Sequence, residues 1–235
     1  AAWTLLFLIP FTIVYGAGEA VHTVAHAIIA EYIPFILLLW ALFTVSGGIL
    51  VKGNIHGSAK TNTIILALGT VLASLMGTTG AAMLLIRPLL RANDGRKHQV
   101  HVVVFFIFLV ANIGGGLTPL GDPPLFLGFL KGVDFMWTVE HMALPVLISS
   151  VILLAVFYAL DSHYWRKETE RKRIDPTPDS KISIAGKLNF VWLLGIIAAV
   201  LMSGIWKSGV EFDILGTPVT LQNIVRDVLF IVIGI

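Results

Sequence analysis

The stretch NIGGGLTPLGDPP at residues 112–124 holds the side chains of this chain that are best suited to bind a cation. Asp122 supplies a carboxylate, and Asn112 and Thr118 supply neutral oxygen atoms, which are ligands that hard cations prefer. A carboxylate that alternately holds a proton and a cation is the simplest element of an exchanger. The stretch therefore predicts an ion-coupling role for Asp122, with capping of the following helix as the structural alternative.

Helix-breaking residues crowd the same stretch, although the runs on either side, 100–113 and 125–130, are strongly apolar. Proline lacks an N–H donor, and glycine relaxes the backbone. Irregular backbone survives inside a bilayer only where protein or a water-filled cavity satisfies its polar groups. We therefore expect two half-helices whose ends meet at an ion site, as in the discontinuous helices of transporters. The breaking residues are Gly114, Gly115, Gly116, Pro119, Gly121, Pro123 and Pro124.

The composition places the chain in a membrane. Hydrophobic residues make up 57% of it and charged residues only 13%, whereas soluble domains carry about 25% charged residues. The absence of cysteine excludes disulfides and thiolate metal sites. Nucleic-acid binding has no support, because the basic residues lie in loops beside apolar spans.

Three runs contain the roughly 20 apolar residues that a helix needs to cross the hydrocarbon core. They are 33–51, 141–160 and 188–206. Residues 1–15 and 220–235 are similar runs that are shorter, and each reaches an end of the chain. We therefore interpret the chain as a fragment of a longer protein.

Basic residues predict the orientation, because loops rich in lysine and arginine face the cytoplasm. Most of the 16 basic residues fall in three loops. Since two of these loops flank residues 61–92, that segment is predicted to enter the membrane and return as a re-entrant hairpin with MGTTG (76–80) at its tip. An ordinary helix over 62–86 is the alternative. The loop residues are Lys52, Lys60, Arg87, Arg91, Arg96, Lys97, Arg166, Lys167, Arg171, Lys172, Arg173, Lys181 and Lys187.

Other polar residues receive structural interpretations. Glu19, His22 and His26 have a spacing that places both histidines on one helix face, as a metal site requires. We favour an amphipathic interfacial helix over 16–31 instead. Arg87 extends from its hairpin arm toward the cytoplasm. The adjacent Arg226 and Asp227 lie in the last apolar run, where the pattern does not decide whether they pair.

Two motifs resemble those of a known group of proteins. NIGGGLTPLGDPP (112–124) resembles the unwound-helix signature of the ion transporter superfamily, which reads PIGD in D-type sodium/proton antiporters and TPIGN in arsenite permeases. TTGAAMLLIRP (78–88) is similar to the hairpin-tip segment of the arsenite permeases. Together they resemble the family of citrate transporters and sodium:proton antiporters, over roughly residues 15–206.

The resemblance implies an all-α polytopic membrane protein with two inverted repeats, each holding a re-entrant hairpin and an unwound, discontinuous helix. It also implies a homodimer, alternating access, and the bacterial inner (cytoplasmic) membrane. The chain would hold the first repeat and the start of the second. The first repeat, 1–160, would comprise scaffold helices 1–51, the hairpin 61–92, the broken helix 99–131 and a helix at 141–160; a cytoplasmic basic linker, 161–187, and the second repeat, 188–235, would follow.

The same resemblance implies which residues line the ion site. Thr78 and Thr79 fall at the hairpin tip, and Na+ would bind to these two threonines, Asp122 and Asn112. The other positions in the unwound segment are Gly115, Gly116, Thr118, Pro119 and Gly121.

We therefore predict a sodium/proton antiporter that is not an enzyme and has no cofactor, in which Asp122 exchanges H+ and Na+. A citrate-like carboxylate transporter of the same fold is the first alternative. The cation is favoured because the related anion transporters carry threonine at this position, and neither break contains a lysine or arginine. A non-transporting scaffold subunit of a larger complex and a metalloenzyme using His22 and His26 are the remaining alternatives.

Overall fold

The computed structural model describes residues 2–53, 55–168 and 182–235. Nine α-helices, a π-helical turn, a short 3-10 helix and four short strands make up these ranges. The elements are α1 (Ala2–Tyr15), α2 (Ala17–His26), the π turn (Ala27–Tyr32), α3 (Ile33–Gly47), β1 (Leu50–Lys52), α4 (Ala59–Ala92), α5 (Val100–Leu109), the 3-10 helix (Ile113–Leu117), α6 (Pro123–Leu130), α7 (Phe135–Lys167), β2 (Ser183–Ala185), α8 (Leu188–Ile205), β3 (Glu211–Ile214), β4 (Thr217–Thr220) and α9 (Leu221–Gly234).

Five helical runs in the described ranges are long and apolar enough to cross a membrane, so the prediction of a helical integral membrane protein is confirmed. The runs are Ala17–Gly47, Ala59–Ala92, Val100–Leu117, Phe135–Lys167 and Leu188–Ile205.

The helix boundaries differ from the prediction in two places. The predicted helix over 16–31 is present as α2 and the π turn, but it continues into α3 without interruption, as one run of 31 residues. Within the predicted linker 161–187, α7 continues to Lys167, and β2 covers Ser183–Ala185. In both places polar residues within a helix were interpreted as a helix end. Four linker residues, Arg171, Lys172, Arg173 and Lys181, lie outside the described residues.

Helix α4 folds back on itself at Gly77. This residue has φ 78° and ψ 153°, a left-handed conformation that favours glycine. The side chains of Asn62 and Asn93 exchange two hydrogen bonds of 2.8 and 2.9 Å. A straight helix of this length would separate its ends by about 50 Å. The two arms of α4 are therefore antiparallel, and a single straight helix over 62–86 does not describe this segment.

The predicted interruption of the next helix is present. Helix α5 ends at Leu109, the 3-10 helix follows, and α6 begins only at Pro123. The first arm of α4 fixes this break through two side chains. Ser74 Oγ donates a hydrogen bond to the carbonyl oxygen of Gly114, and Thr118 Oγ1 donates one to the carbonyl oxygen of Ser74. The break and the first arm are thus joined at buried positions.

The connections gather at two ends of the helical bundle. One, which we call the basic end, contains residues 48–58, 92–101, 161–168 and 183–189. There β1 pairs antiparallel with β2, and Arg96 contacts Glu168. The opposite end contains residues 16–32, 131–134 and 207–220, where His22 Nε2 lies 2.9 Å from the carbonyl oxygen of Gly216. The hairpin of β3 and β4, which the sequence analysis did not predict, also lies at the opposite end.

Candidate ion site

The tip of the α4 hairpin meets the break between α5 and α6. The backbone N–H of Thr78 donates a hydrogen bond of 3.0 Å to the carbonyl oxygen of Gly121. Gly115 permits this close approach, because a Cβ atom there would lie 2.6 Å from Cγ2 of Thr78 and 2.9 Å from the carbonyl oxygen of Gly121. The tip and the break therefore form one junction with a direct backbone connection.

A cavity of about 240 Å³ lies beside this junction, between the tip, the break and α3. Five of the nine predicted site residues line it, and they come from the tip and the break. Helix α3 contributes only apolar side chains. The predicted residues at the cavity are Thr78, Thr79, Pro119, Gly121 and Asp122, and the wall from α3 consists of Phe35, Leu38, Leu39, Leu42 and Phe43.

Asp122 brings a carboxylate to this cavity. It occupies the N-cap position of α6, yet its side chain makes no capping hydrogen bond. Pro123 and Pro124 follow it, and neither has an N–H group to offer. The capping alternative thus finds no support among the described contacts. A half-buried carboxylate beside hydroxyl groups and backbone carbonyls can accept either a proton or a hard cation.

The other predicted site residues lie away from the cavity. The side-chain amide of Asn112 donates a 2.7 Å hydrogen bond to the carbonyl oxygen of Ile107 and is exposed. Thr118 uses its hydroxyl to bind the backbone of Ser74. Gly116 faces α7, where a Cβ atom would lie 3.3 Å from Cγ2 of Val146. The structure brings five of the nine residues together at the cavity. Thr118 and Gly115 do not line it, but they contribute to the junction through the hydrogen bond to Ser74 and the close approach to Thr78.

Two serines beside the site were not predicted from the sequence. Ser74 bonds the break, as described above, and Ser46 packs behind the tip, where a Cβ atom on Gly80 would lie 2.5 Å from Ser46 Oγ. Both are buried within apolar helices. Their only signal in the sequence is a small polar residue inside a predicted span.

A second, charged cavity of about 570 Å³ opens at the opposite end. Its deepest charge is Arg226, which is 1% exposed and donates a 2.9 Å hydrogen bond from Nε to Asp227, so these two residues do pair. The guanidinium carbon of Arg226 lies 5.8 Å from the ring centroid of Phe126, and Phe126 also lines the cavity of Asp122. One aromatic ring therefore lies between a buried cation and the ion site.

A metal centre at the opposite end finds no support. His22 contacts a backbone carbonyl of the β3–β4 hairpin, and His26 lines the charged cavity. Within the described residues, no group of three or more histidine, cysteine, aspartate or glutamate residues is placed to hold a metal ion.

Because the tip and the break meet so closely at Gly115, adding one methyl group there is expected to have a strong effect on transport. In Gly115→Ala, the new Cβ atom would overlap Thr78 and the carbonyl oxygen of Gly121, so the tip must separate from the break. We expect transport to fall about tenfold, because misplacing a positioned group by about 1 Å can cost 100-fold. Gly116→Ala is the matched control, since its nearest contact is one methyl group at 3.3 Å. Equal activity of the two variants would contradict the role assigned to the junction.

A folded-back hairpin, a broken helix and an acidic cavity between them define the class as a helical membrane protein of transporter type. A family model described as "Putative citrate transport" matches residues 1–235, and the chain belongs to this family. The family predicted from the two motifs is thus confirmed. No curated protein and no solved structure matches the chain.

Proposed function

We propose that this protein is a sodium/proton antiporter in which Asp122 binds H+ and Na+ in turn. The observation that carries the proposal is an uncapped carboxylate in a cavity that is otherwise apolar or neutral. Its negative charge attracts a cation and repels a carboxylate substrate. A proton and Na+ compete for the same oxygen atoms, so loading of one requires release of the other.

The proposed membrane arrangement follows from the positions of the basic loops. The basic end faces the cytoplasm, in agreement with the positive-inside rule. Both ends of α4 lie at that end, so α4 is a re-entrant hairpin whose tip stops at membrane depth. The broken helix α5–α6 crosses once from the basic end to the opposite end. A second inverted repeat and a homodimer complete the arrangement that the family resemblance implies.

The proposed Na+ ligands are the Asp122 carboxylate and the hydroxyl groups of Thr78 and Thr79, which line the same cavity. Asn112 does not join this set, because it does not line the cavity; its side-chain amide donates to the carbonyl oxygen of Ile107 instead. Carbonyl oxygens of the break complete the coordination, as irregular backbone at membrane depth does in other transporters. Alternating access then exposes the loaded carboxylate to one side of the membrane at a time.

Carboxylate transport is the second candidate, and Arg226 is the observation that favours it. Its guanidinium is fully buried and lies next to Phe126 at the rim of the ion site. Arginine is suited to bidentate recognition of carboxylates. However, Asp227 already engages it within 2.8 Å, so a substrate would have to replace an existing ion pair.

Transport in inverted membrane vesicles distinguishes the two candidates. For the antiporter, we expect added Na+ to dissipate an imposed pH gradient and citrate to have no effect. Arg226→Gln should then retain the Na+ response if the variant reaches the membrane in normal amounts. Uptake of labelled citrate without any Na+ response, abolished in Arg226→Gln, would overturn the antiport proposal in favour of the carboxylate.

A further inference from the structure

The charged cavity at the opposite end and the ion cavity of Asp122 lie along the same two helices. On α6, Leu130 lines the charged cavity, whereas Phe126 and Asp122 line the ion cavity. These three residues are spaced four apart, so they lie on one face, and the row is about 12 Å long at a rise of about 1.5 Å per residue. On α3, Pro34 lines the charged cavity and its neighbour Phe35 lines the ion cavity. One cavity therefore follows the other from the opposite end toward Asp122.

Phe126 lies where the two cavities approach each other. It is 1% exposed and lines the ion cavity. The guanidinium carbon of Arg226, which lines the charged cavity, lies over its ring at 5.8 Å from the centroid. An apolar constriction excludes water and thereby stops a hydrated ion. The ring of Phe126 in this position closes the passage between the two cavities.

Arg226 restrains this ring from the side of the charged cavity. Its Nε donates a 2.9 Å hydrogen bond to Asp227, and its Nη1 donates one of 3.2 Å to Asn223. Its guanidinium carbon also lies 6.0 Å from the ring centroid of Phe230. A guanidinium within about 6 Å of a ring centroid is attracted to the face of that ring. Arg226 is thus fixed by two polar partners and holds Phe126 in the closed position.

The charged cavity extends from the surface to this ring. His26 and Lys131, which line it, are exposed, whereas Arg226 is 1% exposed. Both the lysine and the arginine of the cavity have a carboxylate in contact. Nζ of Lys131 lies 3.3 Å from Glu31, and Nη2 of Arg226 lies 2.8 Å from Asp227. Because each carboxylate offsets the charge of its partner, an entering cation does not meet an uncompensated positive charge.

We propose that the charged cavity is the vestibule through which the ion enters from the opposite end, and that Phe126 is the gate between this vestibule and Asp122. The ion collects in the vestibule, passes when the ring of Phe126 turns aside, and then meets the carboxylate. Phe126 and Arg226 are positioning residues, because neither is a ligand of the bound ion. The inference rests on the proposed role of Asp122 as the ion site and extends it by assigning a route of entry.

Cysteine labelling measures the gate without measuring transport, because the chain has no native cysteine. Leu42 lines the ion cavity and is 5% exposed, so Leu42→Cys reports on access to this cavity. A membrane-impermeant, positively charged methanethiosulfonate reagent is added on the side that the opposite end faces. Glu211→Cys, at an exposed position of β3, identifies this side. The quantity measured is the labelling rate of Leu42→Cys divided by that of Glu211→Cys.

We expect Phe126→Ala to raise this ratio about tenfold, because removal of the ring opens the apolar constriction to water. Phe129→Ala is the matched control. It removes a buried ring of the same helix, with its centroid 6.0 Å from that of Phe126, but Phe129 lines neither cavity. The ratio should then stay at the wild-type value. If an alanine variant does not reach the membrane, Phe126→Leu and Phe129→Leu make the same comparison, with a smaller rise in the first.

Two variants of Arg226 test the restraint on the ring. Arg226→Gln removes the cation and should raise the ratio, whereas Arg226→Lys keeps a cation and should leave it low. An unchanged ratio in Phe126→Ala, or an equal rise in Phe129→Ala, would overturn the gate. The Na+ response in vesicles is a separate measurement. Its absence together with the expected labelling contradicts the antiporter alone, and its presence without the expected labelling contradicts the gate alone.

Discussion

Asp122→Asn is expected to abolish Na+-dependent dissipation of the pH gradient. The amide keeps the size and one oxygen of the carboxylate, but it neither titrates nor neutralises Na+. Losing a hydrogen bond or contact to a charged group costs about 1.5–3 kcal/mol, which lowers Na+ affinity about 10- to 100-fold. Because the same group also carries the proton in the proposed mechanism, exchange itself should disappear rather than weaken. Vesicles that report ΔpH by fluorescence quenching measure both effects.

Two control variants isolate the role of Asp122. Asp122→Glu keeps a titratable carboxylate in the cavity and should retain exchange with a changed Na+ affinity. Asp134→Asn makes the same chemical change at the exposed N-cap of α7, where the side chain accepts a hydrogen bond from Met136 that asparagine can also accept. It should transport as the wild type does. A normal Na+ response in Asp122→Asn would exclude the proposed mechanism.

Asp161→Ala is expected to cause the largest loss of stability in the described part of the chain. The carboxylate of Asp161 accepts a 2.9 Å hydrogen bond from Asn62 and contacts His101 and Arg96 at 2.8 and 2.6 Å. The substitution removes all three contacts and leaves the guanidinium of Arg96, whose side chain is 4% exposed, beside the carboxylate of Glu168. Breaking a buried ion pair by removing one partner costs about 3–5 kcal/mol. We expect a matching drop in the free energy of unfolding of the detergent-solubilised protein.

Asp94→Ala is the matched control for this stability prediction, since Asp94 lies at the same end and is exposed. It should change the unfolding free energy by less than about 0.5 kcal/mol. Asp161→Asn should fall between the two, because an amide oxygen still accepts from Asn62. If Asp161→Ala unfolds like Asp94→Ala, the contacts of Asp161 do not stabilise the fold as expected.

The break between α5 and α6 could be predicted because its causes are local. Three prolines and four glycines between apolar runs disfavour a continuous helix over residues 112–124. The fold-back of α4 followed from charge, since Lys60 and Arg87 mark both ends of that segment as the same side. The π turn at Ala27–Tyr32 had no such signal, and the polar residues around it were mistaken for a helix end.

The polar contacts were harder to predict, because their partners are distant in sequence. Asn62 and Asp161 are 99 residues apart, and each alone is a single polar residue near the end of an apolar run. Asn112 was assigned to the ion site on its residue type and on the family resemblance, yet it does not line the cavity, and its side-chain amide donates to the carbonyl oxygen of Ile107 in α5. Local sequence thus indicates where the backbone breaks, whereas only the packing decides which polar side chains face the break.

The polar and the apolar residues that line the ion cavity come from different elements, which has a consequence for movement. All of its polar lining comes from the hairpin tip and the break. Hydrogen bonds at Thr78, Ser74 and Thr118 connect these two segments directly. The facing surface of α3 consists of apolar leucine and phenylalanine side chains. Under the proposed function, movement of α3 along this surface would exchange only dispersion contacts between apolar side chains. The proposed ion ligands would therefore keep their arrangement while the apolar wall beside them moves.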